Sequence, residues 1–121
     1  MKKFILVILC LVLLVGCSSN STKKTIGYVE AKEKIINEQA ILLDVRTQEE
    51  YDESHINGAI LLTLDTIDED TIAEVVSDKS KPIIVYCKSG KRSSIAYNTL
   101  KSLGYDVYDL GDFASISLEK E

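Results

Sequence analysis

Ligand-forming residues are scarce in this chain. Its 121 residues hold one histidine, three cysteines and no tryptophan. Two of those cysteines, Cys10 and Cys17, lie in or just after the N-terminal apolar run, and the one remaining cysteine with one histidine is too few ligands for a structural zinc centre, so neither a metal nor a cofactor is expected. Positive charge is also short: 14 lysines and arginines stand against 19 acidic residues, a formal net charge of −5. An acidic balance argues against nucleic-acid binding. The length leaves room for one domain and nothing suggests a second. The apolar run from Phe4 to Val15 falls short of the roughly 18 residues that span a bilayer as a helix.

That run follows Lys2 and Lys3, so the two read as the basic and apolar regions of a signal peptide. An uncleaved membrane anchor is the alternative. Leu14-Val15-Gly16-Cys17 closes the run and resembles the lipobox of bacterial lipoproteins. In that family the signal peptide is cut before the cysteine, which then carries lipid, palmitate included. The resemblance implies a signal peptide over residues 1–16 and Cys17 as the lipidated N-terminus. It places the protein at a bacterial cell membrane, facing outside the cytoplasm. An ordinary secreted protein cut nearby is the alternative. Several acyl chains at about 0.8 kcal/mol per buried CH₂ would make the attachment stable. Ser18 to Lys24 is polar and reads as the end of a flexible tether over 17–24. The folded domain is then 25–121. With Cys10 removed and Cys17 lipidated, Cys87 is the only thiol left, and no disulfide can staple the domain.

Within that domain, short apolar runs alternate with helical patterns. Thr25-Ile26 reads as a short first strand, and Tyr28 to Asn37 as a helix behind Gly27. Ala40 to Leu43 is a continuous apolar run of the kind buried on both faces. Thr47-Gln48-Glu49-Glu50 is a capping-box pattern that starts a short helix. Asn57-Gly58 marks a turn, and Ala59 to Leu62 a third strand. Asp68 caps the next helix, with Ile72, Val75 and Val76 as its buried stripe. Ile83 to Tyr86 and Val107 to Leu110 are the last two strands. The tail from Gly111 to Glu121 is ambiguous, with a turn of helix near Phe113. Strands alternating with helices imply an α/β domain with a mainly parallel sheet. Ligands bind such sheets beyond the carboxyl ends of the strands.

The stretch from Ile83 to Leu103 carries the chemistry. Cys87 sits where a strand ends and a loop, Lys88-Ser89-Gly90-Lys91-Arg92-Ser93, rolls into a helix. Backbone N–H groups in such a loop form an anion-binding nest, and the helix N-terminus adds partial positive charge. Lys88, Lys91 and Arg92 add three formal charges. These features favour a thiolate at Cys87. A buried structural cysteine among solvated lysines is the bland alternative.

Leu43-Asp44-Val45-Arg46, Glu50-Tyr51 and His55-Ile56-Asn57-Gly58-Ala59, followed by the Cys87–Ser93 loop, resemble the signature of rhodanese-like domains. The likeness covers about Thr25 to Leu110. It implies a three-layer α/β domain with a five-stranded, mainly parallel sheet flanked by helices. It also implies a sulfurtransferase. Cys87 would take a sulfane sulfur from an anionic donor such as thiosulfate and pass the persulfide sulfur to a thiol or cyanide-like acceptor. Backbone N–H groups from Lys88 to Arg92, those of Ser89 and Gly90 among them, would cradle the persulfide and the leaving sulfite. Arg92 would close the loop and help bind the anion, with Lys88 and Lys91 setting the local potential. Asp44 reads as a structural residue bonded to loop backbone or to a nearby cation. Arg46 is either a rim residue that helps bind the anion or an ion-pair partner, for instance of Glu50. His55 belongs to a structural motif, and Ser93 bonds at the helix start.

Some positions depart from the family pattern. Ser54 stands where glycine is common and Asn57 where proline is common. Gly111-Asp112-Phe113 replaces a glycine-rich stretch, and the tryptophan beyond it is absent. Two other function classes stay open. A persulfide carrier or sensor with little turnover fits the same loop. A phosphatase or arsenate reductase fits less well, because such loops place arginine six residues after the cysteine and here Arg92 is five after Cys87. Tyr86 also replaces the histidine that often precedes a phosphatase cysteine.

Overall fold

Residues 23–113 are described by the computed structural model. The expected signal peptide over 1–16, Cys17, residues 18–22 of the expected tether and residues 114–121 lie outside them. Four strands make a wholly parallel sheet: β1 (Ile41–Asp44), β2 (Ile60–Leu61), β3 (Ile83–Cys87) and β4 (Val107–Asp112), in the order β2-β1-β3-β4. Four helices connect and cover them: α1 (Tyr28–Asn37), α2 (Gln48–Glu53), α3 (Glu69–Val75) and α4 (Lys91–Ser102).

Among the described residues a fifth strand is not formed. The expected strand at Thr25-Ile26 is reduced to one parallel bridge between Thr25 and Asp109. Ile26 N–H donates to the Asp109 carbonyl at 3.0 Å and Asp109 N–H to the Lys24 carbonyl at 2.9 Å. The segment has no room to extend, because Gly27 already caps α1. The strand expected over Ala59 to Leu62 is likewise only two residues long, since the chain leaves it for a 3₁₀ turn at Leu64–Thr66.

Alternation along β3 divides the core into two layers, as a strand's period of two requires. Ile83, Val85 and Cys87 pack with Ile72, Ala96, Leu100 and Val107, beneath α3 and α4. Ile84 and Tyr86 pack with Ala31, Leu42, Ile56 and Ala59, beneath α1 and α2. Every residue of β3 is buried, so the unbroken apolar run follows from a central strand covered on both faces.

Local signals set the helix starts. Thr47 and Glu50 exchange the reciprocal bonds of a capping box on α2, and Asp68 accepts from the Asp70 and Thr71 N–H groups at the head of α3. Such caps each contribute about 1 kcal/mol. Gly90 opens α4 at φ +91°, a left-handed conformation that favours glycine. The register between β3 and β4 slips after Val85, leaving Leu110 as an extra residue and bringing Gly111 opposite Tyr86. Gly111 Cα thereby lies 3.9 Å from where a Cβ on Gly90 would stand. The far end of β4 is thus carried against the Cys87 loop.

Lys23 and Lys24, read as the end of the tether, are held to the domain. Lys23 Nζ meets Asp109 Oδ2 at 2.9 Å, and Lys24 N–H donates to the Tyr97 hydroxyl at 3.0 Å.

Candidate active site

Parallel strands end together, so the carboxyl ends of β1 and β3 bring Asp44, Arg46 and Cys87 to one rim. Asp44 and Tyr86 are directly opposed across β1 and β3. Cys87 is the last residue of β3 and is buried. Its Sγ accepts two backbone hydrogen bonds, from Gly90 N–H at 3.0 Å and from Ser93 N–H at 3.2 Å. The amides that reach sulfur therefore bracket the turn, and one of them, Ser93, lies just past the Lys88–Arg92 range expected to supply them. The left-handed Gly90 turns the loop so that the first amides of α4 point inward. The Ser93 hydroxyl donates to the Gly90 carbonyl at 3.1 Å, closing the turn. Lys88, Ser89 and Lys91 are exposed around this ring.

Arg46 is not on an open rim and does not pair with Glu50. It is buried and pairs with Asp44, Nη2 to Oδ2 at 2.7 Å, and Nη2 also donates to the Ser54 carbonyl at 2.6 Å. Its backbone N–H donates to Asp44 Oδ1 at 2.9 Å. Both proposed roles of Asp44, backbone and cation partner, are met by this one neighbour. Burial opposes the Arg46 charge, but the Asp44 carboxylate more than offsets this and its pKa is raised. The Tyr86 hydroxyl donates to Asp44 Oδ2 and accepts from Ile56 N–H at 3.1 Å. Burial, with Asp44 beside it, pushes that hydroxyl well above the ordinary tyrosine range. Phe113 stacks on Tyr86 and lies under the Arg46 guanidinium, 4.2 Å from its carbon. It supplies one wall of the cleft that Arg46 and Lys88 also line.

Glu50 is taken by Arg92 instead. Arg92 Nη1 and Nη2 meet Glu50 Oε1 and Oε2 at 2.7 and 3.0 Å. The guanidinium, with the Thr47 cap, holds the Glu50 carboxyl down at about 2. His55 lies stacked on Tyr51, ring centres 3.7 Å apart, and its Nδ1 bonds the Tyr51 carbonyl.

A model described as the rhodanese-like domain matches residues 28–117, which take in the Cys87 loop and all four strands. The chain belongs to the rhodanese-like family. Within that family it is 37% identical over 79 residues to the thiosulfate sulfurtransferase PspE of Escherichia coli, covering 64% of this chain and 75% of that one. It is 34% identical over 88 residues to the thiosulfate sulfurtransferase GlpE of Coxiella burnetii, covering 72% and 79%. A solved structure described as a rhodanese with anions, from E. coli, superposes with a TM-score of 0.64 at 34% identity. It covers 68% of this chain and 96% of that one.

Sequence reasoning missed three residues at this rhodanese-like rim. Glu50 was legible as a cap and as a partner for Arg46, but not as the partner of Arg92. Phe113 was visible as an aromatic but not as a wall. The Tyr86 hydroxyl had a signal, because a tyrosine in a buried strand needs a polar partner.

Proposed function

We propose that Cys87 carries sulfane sulfur as a persulfide between an anionic donor such as thiosulfate and a thiol or cyanide-like acceptor. The protein is a sulfurtransferase. One observation carries the reading: two backbone N–H groups converge on Cys87 Sγ at the head of a helix. They are preorganised donors for negative sulfur and need no rearrangement during reaction. The Cys87 thiolate attacks the outer sulfur of thiosulfate. A new S–S bond forms, the old one breaks, and sulfite leaves with the electron pair. The acceptor then attacks the outer persulfide sulfur and regenerates the thiolate. No general acid is needed, because sulfite is a stable anion.

The lipobox-like Leu14–Cys17 supports a second element of the proposal. The mature protein is tethered by lipid on Cys17 to a bacterial membrane, outside the cytoplasm. Its sulfur partners then meet it there. Metabolic labelling with an alkyne palmitate, lost in Cys17→Ser, tests this.

Intact mass before and after thiosulfate tests the chemistry. A gain of one sulfur atom, absent in Cys87→Ala and reversed by cyanide, is the expected result. No gain from thiosulfate or from an organic persulfide, with the protein folded, overturns it and makes phosphate-ester hydrolysis the next assay. Full burial of Cys87 favours a second reading, a persulfide carrier with little turnover. Normal loading with no sustained cyanide consumption would distinguish that carrier.

A further inference from the structure

Arg92 stands in the first turn of α4, beside the thiol, but its fork is engaged end-on by Glu50. Glu50 is itself held from behind, because Oε1 also accepts from the Thr47 N–H and hydroxyl, each at 3.0 Å. The carboxylate cannot swing away without undoing the cap of α2. The pair stands between two clefts. One, of about 200 Å³, is lined by Glu50, Glu53, Lys88 and Phe113 among others. The other, of about 310 Å³, is lined by Thr47, Asp65 and Arg92 among others. Arg46 lines both and is neutralised by Asp44.

The arginine charge at this rim is therefore spent. Arg46 and Arg92 each face a carboxylate, and Glu53 shares a cleft with Lys88. Among the described residues, only Lys88 and Lys91 of the loop's cations lack a carboxylate partner. A dianion approaching a thiolate here meets less compensation than the three-cation sequence of the loop implies.

We propose that Glu50 is a specificity-determining residue: by holding Arg92 it tunes the site to sulfane-sulfur donors of low charge, organic persulfides and thiosulfonates, over dianions. This rests on the sulfurtransferase reading above. With an organic persulfide, the Cys87 thiolate attacks the outer sulfur and the bond from that sulfur to the organic sulfur breaks. The organic thiolate leaves with the electron pair and the Cys87 persulfide remains, with no oxidant or reductant involved. Glu50 is ionised throughout the neutral range, consistent with its low pKa.

Thiosulfate and methanethiosulfonate test the proposal, because they match in shape and differ by one negative charge. Glu50→Gln removes the charge and keeps a glutamine at the position where a capping box accepts it. With cyanide as acceptor, Glu50→Gln is expected to raise kcat/KM for thiosulfate about five- to tenfold, mainly through KM. The monoanion should gain about two- to threefold, and the difference should shrink in about 0.5 M salt. Glu53→Gln, which changes the same cleft without touching Arg92, should shift the donor ratio less. An unchanged ratio, both donors falling together, or an equal shift in Glu53→Gln overturns the proposal while leaving sulfur transfer intact. Failure of both donors to add sulfur to wild-type Cys87 overturns the sulfurtransferase reading itself, and the proposal with it.

Discussion

The Tyr86 hydroxyl donates a 2.7 Å hydrogen bond to Asp44 Oδ2, from the strand position directly opposite it in the sheet. Both side chains are fully buried. The bond ties the end of β3, one residue before the nucleophile, to the end of β1, two residues before the buried Arg46. It also lets the hydroxyl accept from Ile56 N–H, fixing the turn after α2. The position of Cys87 thus depends on a polar cluster on the opposite face of its own strand.

Tyr86→Phe leaves a buried carboxylate oxygen and a buried N–H short of a partner. A loss of about 1–3 kcal/mol in urea unfolding is expected. Asp44→Ala leaves Arg46 charged and buried without its counter-ion, and should lose about 3–5 kcal/mol. Because the two side chains touch, the double variant should lose less than the sum. Additive losses would show that the bond contributes nothing of its own.

What could be read from the sequence was mostly local. The runs at Ile83–Tyr86 and Ala40–Leu43 announce strands covered on both faces, and the Thr47 and Asp68 caps lie within a few residues of the groups they satisfy. The loop glycine and the strand-end cysteine are local too. Pairing across distance was not legible. Arg92 and Glu50 are 42 residues apart, and nothing near either says that this arginine, and not Arg46, takes that carboxylate. The missing fifth strand has the same origin. A two-residue segment such as Thr25-Ile26 becomes a strand only if a partner edge lies along it, and Gly27 turns it into α1 first.

Lys23→Met should destabilise the fold although Lys23 precedes the expected domain start. Asp109 is buried and its Oδ1 has no hydrogen-bond partner among the described residues, so Lys23 Nζ is its chief compensation. Removing that cation strands the charge, with an expected loss of about 1–3 kcal/mol. Chemical denaturation checks this, and a change within about 0.3 kcal/mol would mean that water already solvates the carboxylate.

Acid should weaken the tie between α2 and the loop over a defined range. The Glu50 carboxyl is lowered from an ordinary 4.5 to about 2 in the folded protein. A depressed pKa gives stability that is complete above the unfolded value and lost as pH falls through the folded one. The stability difference between wild type and Glu50→Gln should therefore be flat above about pH 5.5 and shrink between 4.5 and 2. The pair is partly exposed, so its size should stay below about 1 kcal/mol. Parallel urea titrations of both proteins at stepped pH measure it. A difference that grows on acidification would place the compensating charge elsewhere.

Gly90→Ala separates the cradle from the fold. A Cβ at Gly90 meets nothing nearer than Gly111 Cα at 3.9 Å, so there is space for it. The obstacle is the backbone, which stands at φ +91°. Alanine there costs about 1 kcal/mol if the loop keeps its shape. If the loop relaxes instead, the Gly90 and Ser93 N–H groups no longer both point at sulfur. Losing one preorganised donor at a reacting anion lowers rate by about 10²–10³-fold. Persulfide formation on Cys87, followed by mass after rapid mixing with thiosulfate, should therefore slow far more than the melting temperature falls. Equal loading rates in wild type and Gly90→Ala would mean that the amides hold the resting thiol and contribute nothing to the transfer.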